Sequence, residues 1–428
     1  MKKQLLVASA LIAAIPAAFA QNGNSRPQPV VQPHVIPLPA DKPYPGTMQL
    51  RVDATDVARG IFRVRQTIPV AKPGKLTLLY PEWLPGKHAP RGAIAEMAGF
   101  KPSAGGKPLA WTRQPTDVYA FDVDVPAGVK SIDVTFDFLS PTRTSEGRVV
   151  VTPAMMNLQW EQVSLYPAGY FTRQIPVQLE VTLPDGWTGA AALDGLKISG
   201  NRYSFAPTNY EVLVDSPMFA GRHFRKWDLG QNVTLNVVAD EAKYLDARPD
   251  HIARHAALVS ETVALFGSRP FDRYEFLLAL TDEMGGIGLE HHRSSENSRS
   301  PDYFTQWDEN DHIRGLLPHE LVHSWNGKYR RPINYGPPIS APRCRAICCG
   351  FTKVRQAIGI SSSLADRGCS QRIWCSPNGR RTRAFTARSR GANGARSRIR
   401  RSTRSSRRAS PNPSPAGHAA RIITMRDR

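Results

Sequence analysis

The sequence predicts an α+β protein: an N-terminal antiparallel β-sandwich or saddle domain, a smaller mixed domain behind it, and a disordered basic tail. Three observations predict it. Segments between Met48 and Val238 alternate apolar and polar residues, the period of strands with one buried face. After Asp240 a helical stripe, a short apolar run and a glycine-rich stretch follow one another. Near residue 343, charge and cysteine content change together. These shifts divide the chain into a signal peptide (1–20), a Pro-rich leader (21–45), a β-rich domain (46–238), a mixed domain (239–343) and a tail (344–428).

The first twenty residues, MKKQLLVASALIAAIPAAFA, combine two lysines, an apolar run and a small-x-small ending, the pattern of a secretory signal. The mature protein is therefore expected to be periplasmic or secreted, and without membrane contact once the signal is cut. The leader is expected to be extended rather than packed. In the β-rich region, MQLRVDA, IFRVRQTIPV, VYAFDVDV, IDVTFDF, VQLEVTL and VTLNVVA are the clearest strands, separated by Pro, Gly and Asp turns. DHIARHAALVSETVALFG then places Ile252, Ala256, Val259, Val263 and Phe266 on one helical stripe, with Gly267 suited to end it. YEFLLAL reads as a buried strand.

The next stretch, GGIGLEHH (285–292), reads as a glycine-rich edge able to take an extended peptide by strand addition through Gly285 and Gly286. Glu290 at its end suits the amino group of a peptide, or else is a solvated turn residue. His291 and His292 read as polar surface, with metal ligation the alternative. The Asp/Asn cluster at 308–311 is expected to cap the helix that carries HELVHSWNG (319–327). On a helix, positions i and i+4 share a face, so His319 and His323 can present two imidazoles to one Zn2+ ion. Glu320 projects beside them, where a carboxylate can manage the proton of a metal-bound water. Pro318 is expected to kink or restart the helix just before His319.

HELVHSWN, taken with GGIGLEHHRSS, YPEWLPGKH (80–88) and LYPAGYF (165–171), resembles the glycyl aminopeptidase family of gluzincin zinc metallopeptidases over roughly residues 40 to 343. The resemblance implies a β-rich N-terminal domain, a thermolysin-like catalytic domain and a C-terminal PDZ domain. It implies His319 and His323 as zinc ligands, Glu320 as base, Glu290 as substrate anchor and peptides as substrates. It also implies a third ligand, a glutamate about thirty residues past His323 in a Trp-x-x-Glu-Gly run. This chain has ICCGFTKVRQAIG there and no glutamate anywhere after Glu320. The catalytic domain is thus expected to be incomplete.

The tail supplies an explanation. Of 56 basic and 36 acidic residues, 20 and 2 respectively lie from Cys344 onward, with all five cysteines. Shifting the codons of Cys348–Val354 back by one base permits Leu-Leu-Trp-Val-Tyr-Glu-Gly, with glutamate where the family needs it. From about Arg343 the chain therefore reads as frameshifted. The Arg/Ser-rich tail lacks aromatic interleaving and any nucleic-acid module, so no nucleic-acid partner is expected. The functional expectation is a zinc-dependent aminopeptidase impaired by loss of its third ligand. A non-catalytic exported domain that binds peptides or glycans is the rival. Oligomeric state is not legible.

Overall fold

The computed structural model describes residues 36–329 apart from 85, 88, 89 and 91. The expected signal peptide, most of the leader, the expected frame change, the cysteines and the position of the expected third ligand lie outside the described residues. The described chain is mostly β-sheet with few helices.

The alternating segments form strands at Met48–Asp56, Ile61–Pro69, Asp117–Val125, Ser131–Leu139, Pro176–Thr182 and Val233–Ala239. In the first, Met48, Leu50, Val52 and Ala54 point inward between more exposed neighbours. A nine-stranded sheet has Met48–Asp56 near its middle, flanked by Ile61–Pro69 and Pro176–Thr182. A four-stranded sheet (Tyr166–Pro167, Gly74–Leu79, Asp117–Val125, Trp111–Gln114) contributes to the same large apolar core. The expected all-antiparallel pattern has one exception in the nine-stranded sheet. Met48–Asp56 runs parallel to Pro176–Thr182, Leu50 opposite Leu179. The long excursion between these strands supplies the crossover a parallel pair needs.

The leader is also more engaged than expected. Ala40 N–H donates to the Gly169 carbonyl at 3.2 Å, and Tyr44 is buried edge-on against Tyr170. Those contacts offset the backbone entropy that an extended Pro-rich segment otherwise keeps.

A five-stranded sheet carries the second part of the molecule, in the order His223–Asp228, Val233–Ala239, Tyr274–Leu280, Ser294–Arg299, Gly288–Glu290. Its inner pairs are parallel and both outer pairs antiparallel. This sheet begins at His223, ahead of the boundary read at 238. A three-stranded sheet (Thr188–Ala191, Met218–Gly221, Met155–Leu158) lies against it, and Met155, Phe219, Val238, Leu277, Ala279 and Met284 form a small core between them.

The stripe at 250–267 forms the helix Pro249–Phe266, ended by Gly267 in the left-handed conformation at φ 63°. Its buried face differs from the apolar stripe. His251, His255, Leu258, Val259 and Thr262 are inside, whereas Phe266 is more than a third exposed. Burial of His255 is made tolerable by hydrogen bonds: Nδ1 meets the His251 carbonyl at 2.7 Å and Nε2 meets the Tyr303 hydroxyl at 3.0 Å. The Asp/Asn cluster does not cap the HELVH helix. Asn310 instead reaches Asp302, Asp311–Ile313 form a separate 3-10 turn, and the helix Leu316–Val322 starts at Gly315 without a side-chain cap.

Candidate metal centre

The seven-residue helix Leu316–Val322 is fixed by its back. Leu317 and Leu321, one turn apart, are buried in the second apolar core with Tyr274, Phe276, Phe304 and Trp307. Pro318 falls in the first turn, where its missing N–H costs no helical bond, and His319 N–H makes the turn to the Gly315 carbonyl at 3.3 Å. The helix starts at Leu316 and runs through Pro318 without the break expected just before His319. With leucines at 317 and 321 facing inward, positions 319 and 323 face the other way.

His319 and His323 present their Nε2 atoms to one another at 3.3 Å, with ring planes at 81°. Two nitrogens bound tetrahedrally to one zinc at about 2.0–2.1 Å would stand about 3.4 Å apart. The donor pair therefore fits the ion. His323 Nδ1 lies 3.0 Å from the Asn326 carbonyl, a bond that puts the proton on Nδ1 and leaves Nε2 as the ligand atom. His319, Glu320 and His323 together bring their ligand atoms within 4.8 Å of one another.

Glu320 is buried, and its carboxylate lies beneath Gly288 of the edge strand. A Cβ at Gly288 would sit 2.8 Å from Glu320 Oε1 and 2.6 Å from Leu316 Cδ1. Burial pushes the Glu320 pKa up to about 8, and the nearby Glu290 charge adds to the rise against His291, Arg299 and Lys328. A cation between the imidazoles opposes that rise.

The glycine-rich stretch separates into parts with different roles. Gly288–Glu290 is the outermost strand of the sheet, as expected, paired only with Ser294–Arg299 among the described residues. Glu290, partly buried, packs against the β-rich domain: a Cβ at Gly86 would lie 3.2 Å from its carboxylate. Gly285 is already engaged, because its N–H donates to Val149 and its carbonyl accepts from Arg148 Nε. Gly286 has room around it, its nearest neighbour being Ser298 Oγ. The glycine that lets the metal-site helix approach is Gly288.

His291 is not polar surface. It is fully buried, with Nδ1 3.1 Å from Asp215 Oδ1 and Nε2 2.9 Å from Glu296 Oε1. Burial alone would lower its pKa, but the hydrogen bonds and charges of those two carboxylates outweigh it and hold the value at about 9. Asp215 also takes Lys328 Nζ at 2.7 Å and the His292 N–H at 2.9 Å. His292 is partly buried, its Nε2 2.8 Å from the Pro270 carbonyl, so neither residue is placed as a ligand. The motif spacing gives no sign of Asp215, Glu296 or Lys328.

Residues 49–222 match the profile of the peptidase M61 N-terminal domain, and residues 312–340 match that of M61 glycyl aminopeptidase. No curated protein matches the chain. Among solved structures, an aminopeptidase N family protein from Idiomarina loihiensis is similar with a TM-score of 0.55 at 20% identity, over 68% of this chain and 49% of that one. Native LTA4 hydrolase from yeast gives a TM-score of 0.39 at 13% identity, over 66% of this chain and 44% of that one. The chain thus spans about half the length of these two proteins. Both family profiles fall where the geometry puts the β-rich domain and the histidine pair, and they support a peptidase lineage for the chain.

Proposed function

We propose that the chain descends from an exported zinc-dependent aminopeptidase, that it retains the imidazole pair, the base and the substrate anchor, and that it has little or no peptidase activity as written. The observation that carries this reading is the 3.3 Å imidazole pair with Glu320 beside it, set against the edge strand that ends in Glu290. A helix bearing His-Glu-x-x-His next to an antiparallel edge strand of a mixed sheet supports the thermolysin-like catalytic domain that the family resemblance implies.

His319 Nε2 and His323 Nε2 would hold the zinc ion, which when bound supplies Lewis-acid polarisation of the scissile carbonyl and lowers the pKa of water. The outer edge of Gly288–Glu290 binds an extended peptide by backbone hydrogen bonds. Glu290 accepts the free amino terminus and so sets cleavage one residue in. Glu320 takes the proton of the attacking water and returns it to the leaving amine. Two imidazoles alone leave the ion weakly held, because structural and catalytic zinc sites ordinarily use three or four protein ligands. No glutamate after Glu320 is present to complete the set.

The test is metal content and hydrolysis of Gly- and Ala-nitroanilide by the 428-residue protein. The expected result is weak zinc binding that His319→Ala abolishes, with hydrolysis at background. Zinc-dependent turnover would overturn the loss of activity. Tight peptide binding insensitive to chelator and to His319→Ala would overturn the enzyme lineage of the site itself and favour a binding module.

A further inference from the structure

We propose that Asp215 is a positioning residue that clamps the end of the edge strand bearing Glu290 to the turn that follows His323. The inference rests on the substrate-anchor reading above and deepens it.

Asp215 lies just after the short helix Tyr210–Val214, inside the stretch matched as the M61 N-terminal domain. Its Oδ1 accepts from His291 Nδ1 at 3.1 Å and from Lys328 Nζ at 2.7 Å, and its Oδ2 accepts from the His292 backbone N–H at 2.9 Å. His291 and His292 directly follow Glu290. Lys328 closes the metal-site turn through its own N–H, 3.1 Å from the His323 carbonyl. One carboxylate thus ties the two segments that must keep a fixed separation if a peptide's amino terminus and its scissile bond are to be held at once.

The remainder of the chain of contacts makes the clamp stiff. His291 Nε2 donates to Glu296 Oε1, and Gln159 Nε2 lies 2.9 and 3.1 Å from the two Glu296 oxygens. Lys328, Asp215, His291 and Glu296 alternate in sign, so the cluster is neutral as a whole. The His291, Glu296 and Lys328 side chains are at most 1% exposed, and Asp215 is 13% exposed. A buried, neutral, mutually hydrogen-bonded cluster has one low-energy geometry, whereas a partly broken one leaves a charge unpaired.

The paired substitution Asp215→Asn with Lys328→Met removes one charge of each sign and keeps the cluster neutral. Binding of Gly-Gly-Gly and of N-acetyl-Gly-Gly-Gly is measured in the 428-residue protein with zinc present, and folding is checked by circular dichroism. The expected result is a folded variant whose preference for the free amino terminus falls at least tenfold. An unchanged preference in a folded variant overturns the proposal. Should the pair fail to fold, Asp215→Glu carries the same test, since it keeps every charge but displaces the carboxylate by one methylene. Glu290→Gln separates the two readings. If wild type shows no preference, or Glu290→Gln leaves it intact, the anchor reading fails and takes this inference with it.

Discussion

Gly288→Ala places one methyl group at the tightest point of the site. The alanine Cβ would stand 2.8 Å from Glu320 Oε1 and 2.6 Å from Leu316 Cδ1. Ordinary contact begins near 3.4 Å, so the carboxylate and the leucine must retreat by about 0.6 and 0.8 Å. Backbone strain is not the cause, because Gly288 is in a regular strand paired with Asn297. Both clashing atoms end flexible side chains, which sets the cost at the low end of overpacking, about 1 kcal/mol. The larger effect is positional, since productive geometry tolerates only about 0.5 Å. Urea unfolding gives the stability change, and a crystal structure of the variant gives the Glu320 displacement. A variant within about 0.3 kcal/mol of wild type, with the carboxylate unmoved, would show that the strand and helix are not in the close register described here.

Three further outcomes follow from the same geometry. Zinc at about a hundred times its dissociation constant should stabilise the protein by about 2.7 kcal/mol, and thermal unfolding of His323→Ala should show no such increment. Leu321→Ala, which empties a fully buried position behind the histidines, should cost about 2–5 kcal/mol by urea titration and weaken zinc binding with it. The pH dependence has a definite sign: the His291 pKa is held at about 9 when folded against 6.5 as the reference, so its contribution is complete below pH 6.5 and lost as pH rises through 9. That loss is on the order of 3 kcal/mol, and a denaturation series on His291→Gln should show a flatter decline over this window.

The parts legible in the sequence are those written in short-range pattern. Period-two alternation located the strand Met48–Asp56, and the i, i+4 spacing located His319 and His323 on one face. The strand Ser294–Arg299 escaped notice because it has no apolar residue, yet Ser294 to Asn297 are fully buried. Several of its polar atoms find distant partners, such as Asn297 Nδ2 donating to the Leu277 carbonyl and Glu296 accepting from Gln159. His251 and His255 were invisible on their helix because an imidazole stacked on an aromatic ring, as His251 is on Trp307, or bonded at both nitrogens, as His255 is, packs like an apolar group. Asp215 was beyond reach for another cause: its partners His291 and Lys328 are 76 and 113 residues away. No local pattern encodes a pairing of that span.

The helix holding the two imidazoles has seven residues, too few to persist alone in water. Its rigidity is on loan from Leu317 and Leu321, so the alignment of the nitrogens belongs to the surrounding aromatic bed as much as to the pentapeptide. Excised as a peptide, HELVH would lose its grip on an ion. A lesion in the bed, far from any ligand, would therefore register first as a loss of metal.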